Sequence, residues 1–185
     1  VGCGYGADLD ALRTGLAALQ PPMRMEALGV DLSAWMVDQA RQRGFACVQG
    51  DFRTLPGLEG TFDVVWSNMA LIHVGPDEAP DALRRMVSFL APDGVLGLGV
   101  KSRLSPSDGG LGCQINNPAH GSIQQDRLQT YFDETALRRL IEGEGLVCLA
   151  HVTVPRPGDF REVAREEKDR YNYTWYFCLN TAPKP

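Results

Sequence analysis

The sequence predicts an α/β fold, a doubly wound and mostly parallel sheet with helices on both sides and an antiparallel last strand. Three observations carry this expectation. Short apolar runs alternate with segments whose apolar residues recur every three or four positions. Glycines or acids stand where several of these runs end. The last two apolar runs follow one another with no apolar helix between them, which calls for an antiparallel pair.

The elements follow in order. The chain opens on Val1-Gly2-Cys3-Gly4-Tyr5-Gly6. Leu12, Leu16 and Leu19 then mark a helix, with Asp8 as its expected N-cap and Pro21-Pro22 as its end. Ala27 to Asp31 reads as a buried strand. Ser33 caps a helix that turns Met36, Val37 and Ala40 inward and closes at Gly44. Phe45 to Val48 is the next strand, followed by Gln49-Gly50-Asp51-Phe52, and Phe62 to Trp66 is another, ending at Ser67-Asn68. Ala79, Ala82, Leu83, Met86, Val87 and Leu90 form one face of an amphipathic helix. Pro92-Asp93-Gly94 reads as a turn before the apolar strand Val95 to Val100.

Residues 101–131 are rich in Gly, Ser, Pro and Asn and read as a loop or lid insertion. Asp133 caps a helix with Ala136, Leu137, Leu140 and Ile141. Val147 to Val154 and Tyr171 to Leu179 are the final strands, separated by a charged stretch of mixed sign.

The 185 residues are 44% hydrophobic and 22% charged, ordinary globular usage for one domain over residues 1–185. Eighteen Lys and Arg against 23 Asp and Glu give a net charge of −5. That disfavours general attraction to nucleic acid or an anionic membrane. No apolar run approaches the ~20 residues of a membrane span, and no signal peptide is visible. Five scattered cysteines lack any C-x-x-C pair, and His73, His120 and His151 have no metal-ligand spacing. Reduced thiols, a cytoplasmic location and no metal are expected.

Three chemical signals fall at strand ends, where open parallel sheets bind ligands. Glycines 2, 4 and 6 allow a sharp turn and close approach of a ligand to the backbone. The following helix offers N–H groups to an anion. Asp31, 25 residues after Gly6, is placed to accept from ribose hydroxyls. Asp51 can accept from an adenine amino group while Phe52 covers the ring. The loop with Asp31 alone suits NAD equally well. A structural turn is a further reading.

With these motifs in order, the sequence resembles the class I S-adenosylmethionine-dependent methyltransferases of the small single-domain type 11/25 group. The matching pieces are Val1-Gly2-Cys3-Gly4-Tyr5-Gly6, Gly29-Val30-Asp31-Leu32-Ser33, Gln49-Gly50-Asp51-Phe52, Phe62 to Asn68 and Leu90 to Leu96. The resemblance implies a Rossmann-like sheet and S-adenosylmethionine as cofactor, with S-adenosylhomocysteine as product. It implies that Gly2, Cys3, Gly4 and Gly6 line the methionine part. Asp31 would bind the ribose, Leu32 the adenine, and Asp51 and Phe52 the adenine edge and face. Asn68 would sit near the sulfonium, with Ser67 and Met36 as weaker contacts. The family's first strand precedes the glycine loop, so the resemblance also implies a chain truncated at its N-terminus, with that strand upstream of Val1.

The implied reaction is direct displacement at the methyl carbon, for which orientation and exclusion of water matter most. A base is needed only if the acceptor must lose a proton. His73, five residues past Asn68, is the leading candidate, against a packing or capping role. His120 could reach the site from the long loop, and His151 reads as structural. Tyr131-Phe132 could line the pocket or the core. The residues after the strand at 62–66 read Ser67-Asn68-Met69-Ala70 and not Asn-Pro-Pro-Tyr, which disfavours amide or adenine amino acceptors. A small-molecule acceptor is the expectation, with a protein or tRNA nucleoside open. The competing readings are an NAD-dependent oxidoreductase and a non-catalytic, methyltransferase-like binding domain.

Overall fold

The computed structural model describes residues 1–103, 110–117, 127–155 and 171–181. The chain divides into two compact units, Val1–Gly57 and Leu58–Pro185.

The first unit holds α1 (Ala7–Ala17), β1 (Leu28–Asp31), α2 (Ala34–Gln42) and β2 (Ala46–Gln49). β1 and β2 pair in parallel, from Leu28 opposite Ala46 to Asp31 opposite Gln49. Val37, Ala40, Phe45 and Cys47 make the core here, with Cys3, Leu9 and Met25 packed against it. Ser33 caps α2 as expected, its Oγ accepting from the Met36 N–H at 3.4 Å.

α1 differs from the expectation at both ends. Its N-cap is Gly6 at φ 86°, a left-handed residue, so Asp8 falls inside the first turn beside Asp10. Acids there still favour the positive end of the helix dipole. The helix stops at Ala17, leaving Leu19 47% exposed. Pro21 disfavours helical backbone at Gln20, and the Met23 N–H bonds back to the Leu16 carbonyl at 3.0 Å.

The second unit holds β3 (Phe62–Asn68), a 3-10 turn (Leu71–His73), α3 (Ala79–Ser88), β4 (Leu90–Arg103), β5 (Gly112–Asn117), β6 (Arg127–Phe132), α4 (Glu134–Gly143), β7 (Leu146–Pro155) and β8 (Tyr171–Asn180). β4 is the spine of the sheet. Along one edge it pairs with β8, antiparallel, from Val95–Leu179 to Arg103–Tyr171. The opposite edge carries β3 in parallel as far as Asn68–Gly99, and then β6 at Ser102–Phe132. β7 adds antiparallel to β8, and β5 antiparallel to β6. Thus β3, β4, β6 and β7 run one way, and β5 and β8 run the other. The Rossmann-like α/β class and the reversed last strand are as the sequence predicts.

Alternation along β4 sorts its side chains. Leu96, Leu98 and Val100 are fully buried, as are Leu83 and Met86 of α3 and Leu137 and Ile141 of α4. Gly97 and Gly99 point the other way, where the Trp66 ring and the Trp175 indole occupy the space a Cβ would need. Asp133 caps α4, accepting from the Ala136 N–H at 2.8 Å. The next residue, Glu134, seats the helix on the sheet. Its Oε1 accepts from Ser102 Oγ at 2.7 Å, Thr174 Oγ1 at 2.9 Å and Thr153 Oγ1 at 3.2 Å.

Two expectations are corrected. Residues 92–94 are not a turn between elements. β4 starts at Leu90 and passes through them with a register shift between Phe62 and Val64. Gly94 lies there with its backbone against the Ala91 and Phe62 carbonyls, as at a bulge. Secondly, residues 101–131 are not loop throughout. β4 extends to Arg103, and β5 and β6 pair from Gly112–Phe132 to Asn117–Arg127. Polar residues on these strands hide the two-residue period. Thr130 buries its hydroxyl by donating to the Val74 carbonyl at 2.6 Å. The charged segment at 161–170 lies outside the described residues.

Leu98 is 0% exposed at the centre of the second unit. Leu98→Ala is expected to lower unfolding stability by about 2–5 kcal/mol through lost burial and a cavity. Val152→Ala, on an exposed face of β7, should cost far less. Urea unfolding midpoints of the two variants check the ranking.

Candidate active site

The glycine loop is shaped by residues that only glycine occupies cheaply. Gly2, Gly4 and Gly6 have φ of 62°, 52° and 86°. The Cys3 N–H donates to the Val30 carbonyl at 3.0 Å, laying the loop along β1. Beyond Gly4 there is open space where a side chain would stand.

Asp31 ties the loop to everything else in its unit. Its Oδ2 accepts from the Gly4 N–H at 2.8 Å, and its Oδ1 from the Ser33 N–H at 2.9 Å. Its backbone carbonyl accepts from the Gly50 N–H at 2.9 Å. One residue thus positions the loop before α1, the cap of α2 and the segment leading to Asp51. A carboxylate has about four lone-pair sites, so two remain for a ligand. Leu32 follows at 68% exposure, an apolar side chain held in solvent. Its carbonyl accepts from Gln49 Nε2 at 3.2 Å. Met36 is half-buried on the first turn of α2.

Asp51 is partly claimed already. Arg53 donates to it through its backbone N–H at 2.9 Å, through Nε at 3.0 Å and through the outer guanidinium nitrogen at 2.7 Å. These charge-assisted bonds hold the Asp51 carboxyl well below the usual carboxylate range. A ligand amino group would share this acid with Arg53. Phe52 beside it is half-buried. The Cys3 thiol is pushed up to about 12, chiefly by burial and then by the adjacent Cys47 and Asp31. It is therefore a neutral, soft lining group at neutral pH.

Ser67, Asn68 and His73 belong to the second unit. Ser67 is fully buried, and its Oγ has no partner among the described residues. Asn68 is half-buried and accepts from Trp175 Nε1 through Oδ1 at 3.1 Å. Met69 then leaves the strand at φ 60°, its N–H donating to the Gly99 carbonyl at 2.9 Å. His73 is exposed at the end of the 3-10 turn, its N–H donating to the Ala70 carbonyl.

The other candidates separate cleanly. Tyr131 and Phe132 are core residues. His151 is exposed on β7 with its ring stacked on Tyr176. His120 lies outside the described residues. Among the described residues no group of three or more His, Cys, Asp or Glu could hold a metal ion, and no helix is long and apolar enough to cross a membrane. The sequence carries no local signal for Arg53 or Lys101. Lys101 is buried, bonded to Gln129 and set over the Tyr131 ring. Alternation along the strand at 171–179 puts Tyr173, Trp175 and Phe177 on one face, but nothing local pairs the Trp175 indole with Asn68.

Comparison with known proteins bears on this geometry. The methyltransferase domain family matches residues 1–94, half of the chain. A malonyl-[acyl-carrier protein] O-methyltransferase of Enterobacter lignolyticus is 34% identical over 97 residues, 51% of this chain. The match spans 35% of that relative's length. Among solved structures, the 1,6-didemethyltoxoflavin-N1-methyltransferase of Burkholderia thailandensis, with S-adenosylhomocysteine bound, is 25% identical at a TM-score of 0.68. It covers 98% of this chain and 69% of its own. A [4+2]-cyclase shares the fold at a TM-score of 0.70 and 16% identity, covering 98% of this chain and 73% of its own. The chain therefore belongs to the methyltransferase domain family.

Proposed function

We propose that the protein transfers the methyl group of S-adenosylmethionine to a small-molecule acceptor by direct displacement, releasing S-adenosylhomocysteine. The observation that carries this reading is Asp31, whose carboxylate holds Gly4 and Ser33 and keeps acceptor capacity in reserve. The donor set suits the cofactor. A loop with left-handed glycines and open space at Gly4 accommodates its amino-acid part. Asp31 meets ribose hydroxyls, the solvent-held Leu32 covers the purine, and Asp51 with Phe52 meets its edge and face. Gly2, Cys3 and Gly6 line the methionine part, with Met36 as a further contact.

The cofactor supplies an electrophilic methyl group on a good leaving group. The protein's own work is to bind, to orient and to exclude water. Cys3 stays protonated, so it does not compete as a nucleophile. His73, exposed at the end of the 3-10 turn, is assigned as the base for an acceptor that must lose a proton. The two named methyltransferase relatives act on malonyl-[acyl-carrier protein] and 1,6-didemethyltoxoflavin, which supports a small acceptor group. We place the reaction in the cytoplasm, in keeping with five free thiols.

Thermal stabilisation by S-adenosylhomocysteine, with NAD as control, tests the cofactor. Asp31→Ala should weaken binding at least tenfold, about 1.4 kcal/mol, and Asp31→Asn, which keeps one acceptor for the loop, should lose less. Stabilisation by NAD alone would favour the oxidoreductase reading, and tight binding without turnover the scaffold reading. Because Asp51 has a depressed pKa, it is charged above that value, and its pairing with Arg53 is lost only as pH falls through it. Affinity for S-adenosylhomocysteine measured calorimetrically should therefore show no loss attributable to Asp51 between pH 8 and 5, as judged against Asp51→Asn. His73→Gln should lower turnover by about 100-fold with cofactor affinity unchanged. Unchanged turnover would remove His73 from the mechanism.

A further inference from the structure

The last two strands carry a cysteine pair that the proposed reaction does not use. Cys148 on β7 and Cys178 on β8 stand directly opposite in register, with their sulfurs 3.0 Å apart. Directly opposed residues of an antiparallel pair have Cα atoms about 4.5–5.5 Å apart, inside the ~4.4–6.8 Å that a disulfide requires. Both are free thiols, Cys178 buried and Cys148 half-buried. The ladder slips between Cys148 and Ala150, and such a bulge relaxes the strand beside the pair.

A second pair shows what the geometry demands. The sulfurs of Cys3 and Cys47 both crowd the space above Gly29, 2.8 and 2.7 Å from where its Cβ would stand. Cys3 bonds to one edge of β1, while Cys47 pairs with Gly29 on the other. Their backbones are thus two strand spacings apart, about 9.6 Å, beyond the ~7 Å limit for a bridge.

We propose that Cys148 and Cys178 are a modification site, closing to a cross-strand disulfide when the protein meets a low-molecular-weight disulfide. The Cys148 thiolate attacks one sulfur of the reagent. The reagent's S–S bond breaks and one small thiolate leaves. Cys178 gives up its proton and attacks the Cys148 sulfur, expelling the second small thiolate. The two protein thiols lose two electrons and two protons, and the reagent gains both and ends as two thiols. Burial and the neighbouring Cys148 push the Cys178 thiol upward, so closure is the slow step and quickens as pH rises. The half-buried partner is the point of entry.

The test uses the full, folded chain with oxidised glutathione at pH 8. Remaining thiols are blocked in acid and the protein is digested with trypsin without reductant, since Arg161, Arg165 and Arg170 lie between the two cysteines. Mass spectrometry should find one Cys148–Cys178 linked pair, lighter by two hydrogens and released by dithiothreitol. Cys3 and Cys47 should remain unlinked. In Cys148→Ser, loss of free Cys178 should slow at least tenfold. Glutathione persisting on Cys148, linkage of Cys178 to another cysteine, or a link formed only in urea would overturn the proposal.

Discussion

The carboxylate of Asp31 is the constraint on which the first unit depends. It ends a strand, receives a loop N–H from one side and a helix-cap N–H from the other, and its own carbonyl anchors the segment that carries Asp51. Each bond is charge-assisted or part of the backbone, and none is long. The loop's left-handed glycines make this convergence sterically cheap. A site assembled this way is ordered before a ligand arrives, so less of the binding energy goes into arranging it.

In the second unit the corresponding element is β4. Its buried face is aliphatic and closes the core with α3 and α4. Its other face gives up side chains at Gly97 and Gly99, and the Trp66 ring and Trp175 indole fill the space. Trp175 then reaches Asn68, so the end of β3 is oriented by a residue from β8. Glu134 gathers hydroxyls from β4, β7 and β8 at the start of α4. Such a network is worth having only when its members are satisfied, and here the carboxylate oxygen receives three donors.

How much of this the sequence shows depends on the range of each interaction. The glycine loop, Asp31, the caps at Ser33 and Asp133 and the apolar face of α3 are written in residues a few positions apart, so local pattern exposes them. The helix boundary at Ala17 is subtler, because Pro21 acts through the residue before it. The start of β4 at Leu90 was obscured by a Pro-Asp-Gly stretch that signals a turn in isolation but forms a bulge when β3 lies alongside. β5 and β6 are polar strands whose existence depends on pairing with each other and with β4. The Asn68–Trp175 bond joins positions 107 apart, and no window of sequence contains both ends.

The way β6 joins the sheet has a further consequence. β3 occupies the edge of β4 as far as Gly99, and β6 takes up the same edge at a single residue pair, Ser102–Phe132. The antiparallel β5–β6 pair is therefore added at the end of an existing edge and interrupts no register upstream. Changes in this pair would leave the β3–β4 and β4–β8 ladders in place. The pair thus adds backbone beside the carboxyl end of β4, the end at which open α/β sheets bind their ligands.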